Sequence, residues 1–213
     1  MHAYRPKSLK DARSAAPRNA DSPVATGQRL RRGLGQYFGK MRGSTRGSPP
    51  RVSWREILWS WIGSVLGIGA VAWLHQAWFA GEDLILLIGS LGASAVLVYG
   101  APRSPLAQPR NLIGGHLVSA VVGVAAWQLL APWPWLAAAL AVATAIALMH
   151  ATRTLHPPGG ATALIAVIGS EQIHILGFLY CLIPATLGPL ILLLVGLVVN
   201  NLPAGRRYPE TWI

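Results

Sequence analysis

Only one of the 213 residues is a cysteine, Cys181, which excludes an intramolecular disulfide and any cluster of thiolates. Set in an apolar run, it reads as a packing residue. Acids are nearly as scarce, seven against eighteen Lys and Arg. Asp11 and Asp21 lie near the start, and Glu82, Asp83 and Glu171 fall between apolar runs, so no carboxylate pair sits inside one for acid–base chemistry. H-E-x-x-H, C-x-x-C and G-x-S-x-G are missing. His150 and His156, six apart, put no metal pair on one helical face. No metal site, cofactor or catalytic residue is therefore expected, and an intramembrane enzyme is the least favoured class. Also missing is the polar–apolar alternation of membrane strands, which leaves helices as the only way to span a bilayer.

What the chain does have is apolar length. It is 53% hydrophobic with a mean hydropathy of +0.44, above an ordinary soluble domain, and from Trp54 to Asn200 it is a series of apolar runs. Several approach the roughly 20 helical residues needed to cross a hydrocarbon core of about 30 Å. The net charge of +11 is concentrated at one end, with thirteen of the eighteen Lys and Arg between Arg5 and Arg55. Without aromatic interleaving or a helix-turn-helix pattern, no nucleic-acid partner is expected; a basic tail facing anionic lipid is the simpler reading. The organisation expected is thus a disordered basic tail (1–53), a membrane domain (54–202) and a short cytoplasmic tail (203–213). No apolar stretch follows the charged start as in a secretory signal. An Arg-rich, acid-poor leader also suits an organelle transit peptide, so two locations stay open: a bacterial inner membrane with a cytoplasmic N-terminus, or an organelle membrane.

The apolar runs are Trp54–Phe79, Leu84–Gly100, Leu112–Leu130, one from Trp135 to near His150, a short one after Pro158, and Ile175–Val199. If all six cross, the positive-inside rule puts Arg103, Arg110, Arg153, Arg206 and Arg207 on the cytoplasmic side and Glu82, Asp83 and Glu171 opposite. If the short segment is re-entrant there are five crossings, and Arg206 and Arg207 change sides. Trp54, Trp59 and Trp61 near one end, and Trp78, Trp133 and Trp135 near the other, fit two aromatic belts.

GASAVLVYG from Gly92 resembles GATALIAVIG from Gly160, at an offset of 68 residues. Each copy is the middle of three apolar segments, so six spans make a three-plus-three inverted repeat: an all-α membrane protein with two broken helices. Pro157 and Pro158 hold the chain extended, and a helix is expected to begin just after them. Gly159 and Gly160 then occupy its first turn, where free N–H groups and the positive end of the dipole suit a small anion. The break at Gly89 and Gly92 is expected to face this one. Helices beginning at Gly92 to Ser94 and at Gly159 to Thr162 bring the hydroxyls of Ser90, Ser94 and Thr162 to a ligand. Ala93, Ala95, Ala161 and Ala163 read as close-packing residues. Of the histidines, His75 and His150 lie near span ends. His116 and His156 are better placed as proton carriers or anion donors, although for His116 a purely structural hydrogen bond is an equal reading.

HPPGGATAL, and the earlier run from Gly92 to Gly123 (GASAVLVYGAPRSPLAQPRNLIGGHLVSAVVG), resemble the HPP family of integral membrane proteins over about residues 54–202. That family is usually described with four spans, against the six counted here. Many bacterial members also carry a C-terminal pair of CBS domains, which the 213 residues do not include. Plant members are associated with nitrite transport into chloroplasts, so the resemblance implies a small-anion transporter or channel, nitrite first, with nitrate, formate and chloride open and proton coupling undecided. Arg103, Arg110 and Asn111 match the family pattern and are candidates to recruit anions at the inner mouth or to pair with lipid. A non-conducting scaffold or sensor is the competing reading. A homo-oligomer suits so small a bundle, but no residue decides it.

Overall fold

The structure, a computed structural model, describes residues 36–41, 51–79 and 86–213. Expectations for most of the basic tail, and for Glu82 and Asp83, fall outside the described residues; 36–41 form a short helical stretch. Every regular element among the described residues is helical.

Helix α1 (Trp54–Leu74) starts at Ser53, whose hydroxyl accepts the Glu56 N–H at 3.3 Å. A serine cap with an acid in the first turn stabilises such a start by about 1 kcal/mol. The helix runs on through a π-turn, His75–Phe79. Helix α2 (Gly89–Ala95) likewise continues as a π-turn, Val96–Gly100. A 3-10 turn, Pro105–Ala107, leads to α3 (Pro109–Leu130), followed by α4 (Pro134–Ala151). Both long helices open on a proline, whose missing N–H is an orphan at that position anyway. Arg153, at φ 57°, closes α4 in the left-handed conformation, with the Thr154 N–H reaching back to the Met149 carbonyl. Then come α5 (Pro157–Ile168), α6 (Glu171–Leu176), a 3-10 turn (Gly177–Cys181) and α7 (Leu187–Val199).

By length and composition three helices can cross a bilayer: Trp54–Phe79, Pro109–Leu130 and Pro134–Ala151, with 26, 22 and 18 residues. A fourth is available if Pro157–Ile168 and Glu171–Cys181, bent by 99°, are one span. The structure thus supplies three or four spans of full length where the sequence reading counts six. Gly89–Gly100 and α7 are apolar but short, each reaching about 20 Å at 1.5 Å per residue against a core of roughly 30 Å. The last apolar run, Ile175–Val199, is not one helix. Gly177 takes φ 49°, which ends α6, and Pro184, after a cis peptide bond, contributes no N–H to continue a helix.

The surface is largely apolar, unlike that of a soluble bundle, and a group of polar side chains is buried within an apolar core. Trp54, Trp61, Trp73, Trp78, Trp133 and Trp135 are exposed, while Ser90, Ser94, His116, Ser119, His156 and Thr162 are buried. Exposed apolar flanks on this scale suit lipid, and polar groups turned inward are the arrangement expected of a bundle that lies in it. Helix α3 is the centre, packed against α4, α5 and α7. Its approach to α5 is close because small residues line it. A Cβ on Gly115 would come 2.5 Å from the His156 Cβ, and one on Gly123 would come 2.6 Å from the Ala163 carbonyl.

The segment after Leu202, expected as a short cytoplasmic tail, packs on the helices. Arg206 and Tyr208 are buried, and the Tyr208 hydroxyl donates to the Ala107 carbonyl at 2.8 Å. The N–H groups of Glu210 and Thr211 donate to the Gln108 side-chain oxygen. This segment therefore braces the loop between α2 and α3.

Candidate functional site

Five polar side chains from three helices and one cap meet in the core. Ser90 and Ser94, four residues apart on α2, share a face. His116 stands on α3, His156 is the residue that caps α5, and Thr162 is on α5. Each is at most 1% exposed. The Ser94 Oγ lies 2.7 Å from the His116 Nε2 and 2.9 Å from the His156 Nε2. The His116 Nδ1 lies 2.6 Å from the Thr162 Oγ1, which is 2.9 Å from the Ser90 Oγ. The His156 Nδ1 meets the Leu106 carbonyl, in the 3-10 turn before α3, at 2.8 Å. The two imidazoles are 5.1 Å apart between centroids, tilted by 54°. Among the described residues no group of three or more His, Cys, Asp or Glu gathers as metal ligands.

The two short helices share a register. Ile88 caps α2 and His156 caps α5, at the offset of 68 residues that relates the two sequence copies. Ser94 and Thr162 therefore occupy the same position in each helix, and the two helices meet at the Ser90–Thr162 contact.

The helices start earlier than the sequence suggests. Helix α5 begins at Pro157, because a proline pair fits the first two helical positions, where no N–H is required. The expected row of free amides is therefore absent. Pro157 and Pro158 have none, and the Gly159 N–H is donated to the His156 carbonyl at 2.8 Å. Helix α2 begins at Gly89 and runs through Gly92, which is not a break; its backbone is exposed and an added Cβ there would meet nothing within 4 Å.

Gly159 and Gly160 play different parts. A Cβ on Gly159 would come 2.7 Å from the Ser119 Oγ and 2.9 Å from the Gly115 carbonyl, so glycine is needed for the approach of α5 to α3. Gly160 turns the other way, with Pro157, into an apolar cleft of about 490 Å³ bordered by Val142, Ile146, Leu155 and Leu164. Neither touches the His–Ser–Thr cluster through a side chain, while Pro158 reaches it through its carbonyl, 3.3 Å from the Thr162 Oγ1.

Arg110 and Asn111 hold the loop before His156, donating to the carbonyls of Thr152 at 3.0 Å and Leu155 at 2.8 Å. Arg103 donates to the Gly205 carbonyl at 2.6 Å and lines a polar cavity of about 260 Å³ with Glu56, Ser104 and Arg206. His75 accepts the Leu86 N–H at 3.4 Å, and His150 is exposed in the last turn of α4.

Arg206 is the residue that sequence reasoning missed. Its side chain, 3% exposed, pairs with Glu56 at 2.8 Å and donates to the Asn200 side chain, the Ser60 hydroxyl and the carbonyls of Tyr99 and Glu56. The signal available was Glu56, an acid inside the first apolar run with no basic partner one helical turn later.

The transmembrane-region model of the HPP family matches residues 49–209. Two transmembrane proteins of Dictyostelium discoideum are each 48% identical to the chain, over 180 and 182 residues, covering 83% of it. The chain spans only 57% and 63% of their lengths. No solved structure matches. These relatives bear out an integral membrane protein and lend no support to a bacterial inner membrane.

Proposed function

The chain belongs to the HPP transmembrane family, and from that premise we propose that it carries a small anion across a membrane, with nitrite, to which the sequence resemblance points, as the first substrate. The observation that supports this reading most is the sealed cluster of Ser90, Ser94, His116, His156 and Thr162 where two short helices begin against one another. In an otherwise apolar bundle these are the groups able to replace the water around a small anion, since imidazole N–H and hydroxyl groups both donate. In the closed arrangement they satisfy one another. Separation of α2 from α5 frees them for the two oxygens of nitrite.

The equal register of α2 and α5 supports a three-plus-three inverted arrangement, in which two facing short segments mark the site near the midplane. Under that arrangement the N-terminus is cytoplasmic, by the distribution of arginine. Arg103, exposed beside the polar cavity, is the group that would concentrate anions at that mouth, while Arg110 and Asn111 brace the loop before His156. The apolar flanks face lipid.

The test is nitrite uptake into liposomes holding the purified protein, at two pH values, beside His156→Ala and protein-free vesicles. Uptake that the variant loses supports the cluster as the path. If well-folded protein takes up neither nitrite, nitrate nor chloride, the carrier reading fails and the scaffold reading takes its place.

A further inference from the structure

We infer that Thr162, His116, Ser94 and His156 form a directional proton relay that starts at Thr162, ends at His156 facing the Leu106 carbonyl, and moves one proton in each transport cycle. The inference rests on the carrier reading and adds a co-substrate to it.

The direction follows from one group. A carbonyl oxygen only accepts, so the 2.8 Å contact of Leu106 requires the hydrogen on the His156 Nδ1. With the ring neutral, its Nε2 is bare and takes the single hydroxyl hydrogen of Ser94 at 2.9 Å. Ser94 then has none left, so the 2.7 Å contact with His116 is one that the His116 Nε2–H donates. The His116 Nδ1 is therefore bare and accepts from Thr162 at 2.6 Å. The Ser90 Oγ, 2.9 Å away, accepts from the same Thr162 hydroxyl and is the more distant of the two acceptors. The competing carbonyls are farther away, Ser90 at 3.2 Å from the Ser94 hydroxyl and Pro158 at 3.3 Å from the Thr162 hydroxyl. Every donor thus points from Thr162 toward the loop.

A proton added to the Thr162 hydroxyl, from water or a protonated substrate, passes along this line with the bonds balanced at every step. Thr162 gives its own to the His116 Nδ1, the His116 Nε2–H passes to Ser94, and Ser94 delivers to the His156 Nε2. The His156 Nδ1–H leaves to water on the loop side. Both rings have then exchanged tautomers, and the bare Nδ1 of His156 faces the Leu106 carbonyl lone pair to lone pair. That contact is repulsive, so the relay cannot run again until the ring turns or the loop moves. This makes the device a coupled carrier of protons rather than a channel for them.

The neighbouring titratable groups do not interrupt the line. On the 3-10 turn packed against α3 stand Cys181 and Tyr180, and Tyr180 donates its hydroxyl to the Thr162 backbone carbonyl at 2.9 Å. Tyr99 donates to the Leu192 carbonyl, His150 is exposed, and Glu56 is held by Arg206. Among the described residues no Asp, Glu, Lys or Arg bonds to any member of the relay.

The experiment follows nitrite and luminal pH together in proteoliposomes under a potassium–valinomycin potential, with protein-free vesicles subtracting the leak of nitrous acid. The wild type should take up nitrite with a proton, so that uptake is independent of the applied potential. Ser94→Ala and the isosteric Thr162→Val should move about tenfold fewer protons per nitrite, the scale of one lost hydrogen bond, and their remaining uptake should follow the potential. Thr162→Ser, which keeps the hydroxyl, should behave as wild type. Wild-type uptake that follows the potential overturns the relay and leaves the carrier standing, as does a proton-to-nitrite ratio unchanged in both hydroxyl-less variants or lost equally in Thr162→Ser. A variant without residual uptake is read by proton flux after a pH step, where flux equal to wild type overturns the relay. If the wild type moves no nitrite, the carrier reading fails, and the same pH step decides the relay separately.

Discussion

Ser94 and Thr162, 68 residues apart and in the same position of two different helices, hold the two nitrogens of one imidazole, that of His116, at 2.7 Å and 2.6 Å. Repeated sequence has thus become two-sided contact with a residue that belongs to neither copy. The position of His116 is set jointly by both short helices, and this gives the first prediction.

Ser94→Ala and Thr162→Val each remove one hydrogen bond of His116, at a cost of about 1 kcal/mol apiece. Because both act on one ring, their effects should depart from additivity by at least about 0.5 kcal/mol. The four-membered cycle, followed by thermal unfolding in detergent, checks this. Additive costs would show that the two helices hold His116 independently.

Adjacent glycines should respond in opposite ways. Gly159→Ala forces a methyl against Ser119 and the Gly115 carbonyl and should cost about 1–3 kcal/mol. Gly160→Ala, with Val142 Cγ1 the nearest atom at 3.9 Å, should be neutral or stabilise by up to about 1 kcal/mol through the unfolded chain. Melting temperatures of the two purified variants decide the matter.

Arg206→Met removes donors from Glu56, Ser60, Asn200 and Tyr99 at once and should cost about 3 kcal/mol. Glu56→Gln should cost less, about 1 kcal/mol, since the Glu56 side chain is 36% exposed and its backbone carbonyl still accepts from the arginine. Equal losses of thermal stability would refute this ranking.

Burial raises the Tyr208 phenol above its ordinary 10.0. The folded state therefore keeps a proton that the unfolded chain loses first. The stability this contributes is fully present below pH 10 and lost as pH rises through the folded value. Tyr208→Phe should lower stability at neutral pH by about 1 kcal/mol through the lost bond to Ala107 and should shrink the decline above pH 10. Melting curves from pH 8 to about 11 test it; an unchanged alkaline slope would assign the decline to other groups.

The apolar runs were legible because a bundle in lipid needs long stretches without charge. Ser90, Ser94, His116, His156 and Thr162 were legible for the converse reason, being polar in runs that are otherwise apolar. Two facts depended on tertiary position. Gly92 and Gly160 share composition with Gly159, yet only a neighbouring helix at van der Waals distance separates a glycine that must be small from one that is merely small. Arg206 was read as a charge at a membrane boundary, because its acceptors come from residues as far as 150 positions upstream. Local propensity also misled at Pro157, where the same fixed φ that disfavours a helix interior favours a helix start.

The Arg206–Glu56 pair has a consequence for biosynthesis. Glu56 leaves the ribosome 150 residues before Arg206, a delay of roughly 8–30 s at ordinary elongation rates. Throughout that interval the first helix carries an unpartnered acid, and the loop beneath Leu106 has no brace. Final closure of the histidine cluster thus waits for the last stretch of the matched domain to be made, so a nascent chain halted before it would expose an unlocked site to the quality-control machinery of its membrane.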